Sequence, residues 1–219
     1  NADVTLHVVR PNSPTVAVQW DRESFPYLAT VSWPQPDRIL LSVQSRDQRR
    51  LLVLSADPAT GATTVLVDDS DDDWVELVPG TPSQLADGRL VYCADRDGAR
   101  RLMLGDTPLT PNDLQVRAVI GTSGNTITFV AHPITDATVQ HVWQWVNGEL
   151  HTFTSEAGVH SAAAGGPDHS MLVVRSATLT THGATTRVVN TGDPSATRAI
   201  ASHTATPLVE PNVAIRFYG

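Results

Sequence analysis

Hydrophobic and polar residues alternate in short runs along this chain, and turn-forming residues separate the runs. In one example, the apolar run 50-RLLVLSADP-58 leads through a Pro/Gly turn into a second apolar run, 59-ATGATTVL-66. Short β-rich runs bounded by Gly, Pro, Asn or Asp predict β-hairpins. No window of a dozen residues combines convincing helical spacing with caps. The pattern therefore predicts an all-β, antiparallel chain.

The predicted strands recur through the whole sequence. They cover residues 4–10, 15–20, 27–33, 39–45, 51–55, 63–67, 89–94, 101–104, 116–121, 126–131, 139–146, 150–154, 171–177, 185–189 and 197–202. The residues between them are typical of tight turns, because Gly supplies the positive φ that such turns need and Asn and Asp tolerate it.

The turns that precede each second strand recur at regular distances. They contain Asp37, Asp87, Asn125 and Asp168, at spacings of 50, 38 and 43 residues. Four strands in about 40–50 residues is the period of a β-propeller blade. A sandwich of short strands would look the same strand by strand, but it should not repeat a four-strand unit. The repeat therefore favours the propeller.

The predicted domain plan is a partial β-propeller over residues 1–203. Residues 1–20 form a leftover hairpin, the outer half of an earlier blade, and residues 204–219 form a connector. The four predicted four-stranded blades cover residues 21–69, 74–110, 115–155 and 159–203. The unmatched hairpin indicates that the chain is a segment of a larger propeller.

Composition and charge exclude several classes of function. The 219 residues carry a net charge of −8, which disfavours a nucleic-acid partner because phosphate contacts need a basic face. All fifteen basic residues apart from histidine are arginine, so the chain cannot supply a Schiff-base or P-loop lysine. No apolar run approaches 18 residues and no signal-peptide pattern opens the chain, so a membrane partner is not expected.

The sequence contains one cysteine, Cys93, within the run 89-RLVYCADR-96. It is expected to be a small buried residue, because its neighbours do not suggest the activated setting of a nucleophile. A single cysteine excludes an internal disulfide framework and agrees with a reducing compartment, so a cytoplasmic location is predicted.

Catalytic motifs are not evident. The nearest match to the G-x-S-x-G motif of hydrolases, 121-GTSG-124, lacks the spacing, and none of the eight histidines forms a H-E-x-x-H motif or a short His/Cys pair. We therefore predict no catalytic residue, no metal site and no cofactor within this chain.

The run 68-DDSDDDW-74 resembles the opening of a calcium-binding loop. The Gly and Glu that such a loop needs at its sixth and twelfth positions are replaced by Trp74 and Gly80. We therefore expect the carboxylates of this run to be solvated, with at most weak binding of a divalent cation. The residues concerned are Asp69, Asp71, Asp72 and Asp73.

The tryptophans suggest two different roles. Trp143 and Trp145 lie two apart on one predicted strand, so they share a face and are expected to pack between blades. Trp74 follows the acidic run at the entrance to a blade, where it would either line a pocket or anchor the loop.

An ordered set of segments resembles a known family. The segments NADVTLHVV, FPYLATVSW, LLSVQSRDQRRLLVLSADPATG, DDDWVELVP, DGRLVYCADRDGARRLML and LQVRAV follow in the order seen in the N-terminal propeller of dipeptidyl peptidase IV-like serine peptidases, closest to the bacterial branch. This family lies within the prolyl oligopeptidase clan. The resemblance runs over essentially the whole chain, and the final segment, TPLVEPNVAIRFYG, resembles the approach to an α/β-hydrolase domain.

The resemblance implies where function would lie. The catalytic triad of the family belongs to the hydrolase domain, after this chain, and the paired glutamates that hold the substrate amine precede it. One loop of the family's propeller follows a W-V pair and reaches toward the substrate. Trp74-Val75 match that pair, so Trp74, Glu76 and Val78 are the predicted substrate-binding residues.

The implied function is that of a non-catalytic propeller segment in a serine exopeptidase that releases N-terminal X-Pro or X-Ala dipeptides. The propeller would act as scaffold and substrate gate, and the chain alone would be inactive. Its implied partners are the α/β-hydrolase domain of the same parent chain and the N-termini of peptide substrates, and a homo-oligomer remains open. The alternative is a free-standing propeller that binds protein or glycan.

Overall fold

The computed structural model describes residues 3–216 and residue 218. Within this part of the chain the regular structure is five antiparallel sheets and two single-turn 3₁₀ helices, Pro167–His169 and Pro194–Ala196. One sheet has two strands, and each of the other four has four strands in sequence order. The described residues contain no helix with the length and apolar character that crossing a bilayer requires.

The two-stranded sheet is the N-terminal hairpin, formed by β1 (Leu6–Val8) and β2 (Val16–Val18). Leu6 pairs with Val18 across this hairpin. Val8 and Val18 are buried in one core with residues of the next sheet. The predicted leftover hairpin is therefore present, and it packs on the sheet that follows it.

We name the four-stranded sheets blades 1 to 4. Blade 1 contains β3 (Tyr27–Gln35), β4 (Arg38–Gln44), β5 (Arg50–Ala56) and β6 (Thr63–Ser70). Blade 2 contains β7 (Ser83–Gln84), β8 (Leu90–Arg96), β9 (Ala99–Leu104) and β10 (Thr107–Pro108). Blade 3 contains β11 (Leu114–Ser123), β12 (Thr126–Pro133), β13 (His141–Val146) and β14 (Glu149–Thr152). Blade 4 contains β15 (Val159–Gly165), β16 (Met171–Ala177), β17 (Ala184–Asn190) and β18 (Arg198–Ile200).

The blades fan around a common axis. The first strand of each blade contacts the first strand of the next, in the order β3, β7, β11 and β15. Separate apolar cores fill the spaces between neighbouring sheets. Blades stacked face to face in this order form a partial, unclosed β-propeller, so the predicted fold class is confirmed.

Burial along the strands follows from this stacking. β12 is buried over its first six residues because blades 2 and 4 lie on its two sides. In β16 burial alternates strictly, with Leu172, Val174 and Ser176 facing blade 3 and the residues between them exposed. A strand with two packed faces carries a continuous apolar run, whereas a strand with one packed face alternates.

Three strands are absent from the sequence-based prediction. β7 and β10 have two residues each and are too short to give a periodic signal. β15 reads VHSAAAG, and its Ala, Ser and Gly have low strand propensity. Neighbouring strands supply the hydrogen bonds that fix β15, since it pairs with β16 along its whole length.

The expected packing of the two tryptophans on β13 is confirmed. Trp145 is buried and Trp143 is half-buried, and both contact the core between blades 2 and 3. The same core contains Phe129 and Ile127 of β12, both fully buried. The face of β13 that carries Trp143 and Trp145 therefore points into an interblade core rather than into solvent.

Candidate functional site

The loop that joins blade 1 to blade 2 runs from residue 71 to residue 82, and backbone hydrogen bonds hold it to blade 1 and blade 3. The loop begins with a turn at Asp71. The Asp71 Oδ1 accepts hydrogen bonds from the backbone N–H groups of Asp73 and Trp74 at 2.8 and 3.0 Å. Val75 donates its N–H to the carbonyl of Gln48 at 2.8 Å and accepts from the Gln44 side chain at 3.0 Å. These bonds tie the start of the loop to blade 1.

The far end of the loop is tied to blade 3 through a glycine. Gly80 has φ of 82°, and a Cβ placed there would come within 1.8 Å of the carbonyl oxygen of Val119. Val119 also donates its N–H to the carbonyl of Pro79 at 2.9 Å. Only glycine permits this close approach with positive φ, so the loop has a fixed course between its two ends.

Two of the three predicted site residues lie side by side on this loop. Trp74 is 59% exposed, and its Nε1–H donates to Oε2 of Glu76 at 3.1 Å. This contact fixes the indole next to a carboxylate. Together they present an aromatic surface and a negative charge on one exposed segment.

Blade 2 adds a cation to this pair. The Arg100 side chain is largely buried and lies 3.9 Å from the Glu76 carboxylate and 3.6 Å from the Asp95 carboxylate. Its backbone N–H donates to the side chain of Gln115 at 2.8 Å, which fixes the strand beneath it. Arg100 is not predicted by the local sequence pattern, because β9 brings it to the loop from a different blade.

The third predicted residue, Val78, faces the other way. It is 6% exposed and lines a small cavity between blades 1 and 2, together with Val53, Pro82 and Tyr92. The structure therefore brings Trp74 and Glu76 together at the surface and leaves Val78 beneath them.

The expectation that Asp69 is solvated is wrong. Asp69 lies on β6, is 7% exposed, and accepts a hydrogen bond from the Arg96 guanidinium at 2.7 Å. The Asp69 carboxylate raises the pKa of Arg96 by this hydrogen bond. Asp71, Asp72 and Asp73 are exposed as expected. Asp69 differs because β6 carries it into the contact between blades 1 and 2, so the acidic run is not one cluster.

Cys93 lies behind the charged residues of blade 2. Burial raises the pKa of its thiol to about 12, although the nearby Arg100 acts in the opposite direction. A thiol with this pKa is protonated at neutral pH and is a weak nucleophile. Cys93 is half-buried and not fully buried as expected, but its raised pKa agrees with an unreactive structural cysteine.

The histidines with defined partners are structural. His160 is fully buried, with Nδ1 bonded to the Ser176 hydroxyl at 2.8 Å and Nε2 bonded to the Glu156 carbonyl oxygen at 2.8 Å. A carbonyl oxygen can only accept, so Nε2 carries the proton and the ring is fixed in one tautomer. The Ser176 hydroxyl is buried with it, which leaves no room for a substrate between them.

The fold defines the class of protein, a partial β-propeller, and one of its interblade connections carries an exposed indole beside a carboxylate. Comparison with known proteins identifies its family. The family model for the dipeptidyl peptidase IV (DPP IV) N-terminal region matches residues 1–163. The chain therefore belongs to the family of dipeptidyl peptidase IV N-terminal regions, and the resemblance found in the sequence is confirmed.

Solved structures share the fold. The crystal structure of Porphyromonas gingivalis dipeptidyl peptidase 4 matches with a TM-score of 0.67 at 14% identity, over 82% of this chain and 26% of that chain. The structure of oligopeptidase B from Leishmania major matches with a TM-score of 0.59 at 13% identity, over 88% of this chain and 29% of that chain. The chain thus spans between a quarter and a third of the length of these relatives.

Proposed function

We propose that this chain is the non-catalytic propeller segment of a serine exopeptidase that releases N-terminal X-Pro or X-Ala dipeptides. The observation that carries the proposal is the family match over residues 1–163, together with four blades stacked in the order of a propeller. In this role the segment is a scaffold. Its partner is an α/β-hydrolase domain of the same parent chain, which supplies the nucleophile and the base.

The loop bearing Trp74 and Glu76 is the proposed contact with the peptide substrate. Loops fixed on a rigid scaffold commonly carry binding residues, and this loop is anchored at both ends. An indole offers a flat apolar surface to a peptide side chain, and the Glu76 carboxylate accepts hydrogen bonds. Val78 supports the loop from below. In this role the propeller of the parent protein limits access to slim, unfolded peptide N-termini.

The setting of the parent protein is part of the same proposal. We place it in the cytoplasm, where a single reduced cysteine is stable. A homo-oligomer is compatible with this role and is not required by it.

The test of the proposal compares two proteins side by side. The 219-residue chain and a parent protein extended through the hydrolase domain are assayed with Gly-Pro and Ala-Pro chromogenic dipeptides. The chain alone should show no turnover, whereas the parent should cleave both substrates and be blocked by a serine-directed inhibitor. Turnover by the chain alone, abolished by that inhibitor, would contradict the scaffold role.

Variants of the parent test the loop. Trp74→Ala and Glu76→Gln should raise KM roughly 3- to 30-fold with a smaller change in kcat, because they remove substrate contacts outside the reacting bond. Asp72→Asn is the matched control, since Asp72 is exposed on the same loop. An active parent with unchanged KM in both variants would remove the loop from the site, and an inactive parent would favour the binding-module alternative.

A further inference from the structure

A polar cavity lies at the propeller axis, where the inner strands of blades 1, 2 and 3 end. It has a volume of about 430 Å³. β3, β7 and β11 each contribute residues to it, and the turn after β7 is bonded to the turn after β11, because Ala86 donates its N–H to the carbonyl of Gly124 at 3.1 Å. We call this cavity the axial pocket. It is separate from the loop that carries Trp74, which lines none of it.

Three of the four hydroxyl groups that line the axial pocket donate to the protein, whereas the fourth, of Ser123, accepts the Asp168 N–H at 3.1 Å. Ser32 donates to the carbonyl of Pro82 at 3.2 Å, and Thr122 donates to the carbonyl of Gln84 at 2.9 Å. Since the Thr122 hydrogen is used in that bond, the Ser83 hydroxyl must donate to Thr122 across 2.9 Å. Ser32 and Ser83 therefore face the pocket as acceptors.

Gln84 adds a third acceptor. Its side-chain nitrogen donates to the carbonyl of Gly88, which fixes the orientation of the amide. Its Oε1 is buried and has no hydrogen-bond partner. Buried polar atoms without partners are uncommon, so an unpaired acceptor in a residue that lines a cavity suggests that a donor enters there.

An aromatic ring lines the pocket, and a carboxylate lies at its rim. Trp33 is 51% exposed and lines it from β3, and an indole face attracts cations more strongly than the ring of Phe or Tyr. The residues that line the pocket include no charged side chain. At the rim, the Asp168 carboxylate lies against Gly124, where a Cβ would come within 1.9 Å of Oδ1. Arg89, just before β8, is engaged by Asp87 at 2.7 Å and by Asn125 at 2.9 Å.

We infer that the axial pocket binds an ammonium group. A primary ammonium group has three N–H donors and no acceptor, which matches the acceptors of Ser32, Ser83 and Gln84 beside an indole face. The net charge of −8 also favours a cationic ligand. The group can come from a peptide N-terminus or from a lysine side chain, which present the same chemistry. The inference does not rest on the proposed peptidase role, because it concerns a different surface of the chain.

The test uses the intact 219-residue chain and observes indole N–H signals by NMR. The Trp33 signal is assigned from its loss in Trp33→Leu. Butylammonium, butanol and butyrate are titrated as probes of equal length with different charge. Butylammonium should shift the Trp33 signal with a Kd in the millimolar range, butanol at least fivefold more weakly, and butyrate not at all. Ala-Ala-amide and N-acetyl-lysine-amide then distinguish the two sources of the ammonium group.

Two variants decide the outcome. Gln84→Met keeps the length of the side chain and removes the acceptor, and it should weaken butylammonium binding at least fivefold. Gln19→Met, at an exposed position, is the matched control and should leave it unchanged. Equal shifts of the Trp33 signal by butanol and butylammonium would overturn the inference. A stronger shift of this signal by methyl glucoside than by butylammonium would also overturn it and would make the pocket a saccharide site. Retention of binding in a folded Gln84→Met chain would contradict the role of this amide.

Discussion

The two tryptophans of β13 contribute differently to the stability of the fold, although their side chains lie on the same face of the strand. Trp145 is buried against the core between blades 2 and 3. Trp143 is half-buried, and its Nε1–H is buried without a hydrogen-bond partner. The first ring contributes its full apolar area to stability. The second contributes less, because an unpaired buried donor offsets part of its gain.

Substitution should show that the two rings contribute unequally to the free energy of unfolding. Trp145→Ala is expected to lower the free energy of unfolding by about 3–5 kcal/mol, the usual range for a buried aromatic residue. Trp143→Phe keeps a ring and removes the unpaired donor, so it should cost less than about 1 kcal/mol. Urea unfolding measures both, with the exposed Trp74→Ala as the control for loss of an indole. Equal costs for the two substitutions would show that the rings are equally buried.

Cys93 should be inert in the folded chain. Because burial raises the pKa of its thiol to about 12, the thiolate is a very small fraction of the population at pH 8. A thiol reagent such as dithionitrobenzoate should react at least 100-fold more slowly with the native protein than with the protein in urea. Fast native reaction at pH 8 would mean that the thiol is accessible and ionised.

At the scale of elements, a histidine pair marks the contact between blades 3 and 4. The rings of His141 on β13 and His160 on β15 stack with their centroids 5.5 Å apart. Burial lowers the pKa of His141, and the charge of His160 lowers it further, while Asp136 acts in the opposite direction. His141 also hydrogen-bonds the Thr154 hydroxyl through Nδ1 at 3.2 Å. A neutral His141 therefore suits this contact between blades.

This pair predicts a loss of stability in mild acid. The pKa of His141 is lower in the folded chain than the usual unfolded value of about 6.5, so the unfolded chain binds the proton more tightly. The stability that neutral His141 contributes is fully present above about pH 6.5 and is lost as the pH falls toward the lowered folded pKa. Melting temperatures between pH 5 and pH 7.5 should show this slope, and His141→Gln should reduce it.

The pH test has an internal comparison. His169 also has a pKa lowered by burial, so part of the slope should remain in the His141→Gln variant. His151 is exposed, and His151→Gln is the matched control for the loss of a histidine. A slope that does not depend on residue 141 would place the acid sensitivity elsewhere.

At the scale of the whole molecule, the blades differ in how many of their faces are covered. Blade 3 lies between two sheets, whereas blade 4 has a face that no other sheet of the described chain covers. Along β16, Leu172 and Val174 point to blade 3, and Met171 and Val173 are exposed. The stability of the chain should therefore depend on one face of β16 only.

A matched pair of substitutions tests this asymmetry. Leu172→Ala removes a fully buried side chain and should cost about 2–5 kcal/mol in urea unfolding. Val173→Ala on the opposite face should change the free energy of unfolding by less than about 1 kcal/mol, mainly through strand propensity. A large cost at Val173 would show that a second copy or another segment covers this face in solution.

The sequence by itself determined the architecture. Hairpin signals, turn residues at Asp37, Asp87, Asn125 and Asp168, and a four-strand repeat were sufficient for a partial propeller, because these are local properties that each blade repeats. The ordered family resemblance also placed Trp74 and Glu76 on one loop correctly. Local periodicity did not find β15, which is held by its pairing with β16 rather than by its own residues.

Only the tertiary structure decided which side chains meet across blades. Asp69 belongs to an acidic run in the sequence, but β6 carries it into a contact with Arg96 of β8. Arg100 reaches Glu76, and Gln84 and Trp33 share the axial pocket, through the same stacking. These contacts join residues that are distant in sequence and depend on how adjacent sheets twist and pack. A one-dimensional pattern cannot contain that information, because burial on the second face of a strand is set by the neighbouring blade.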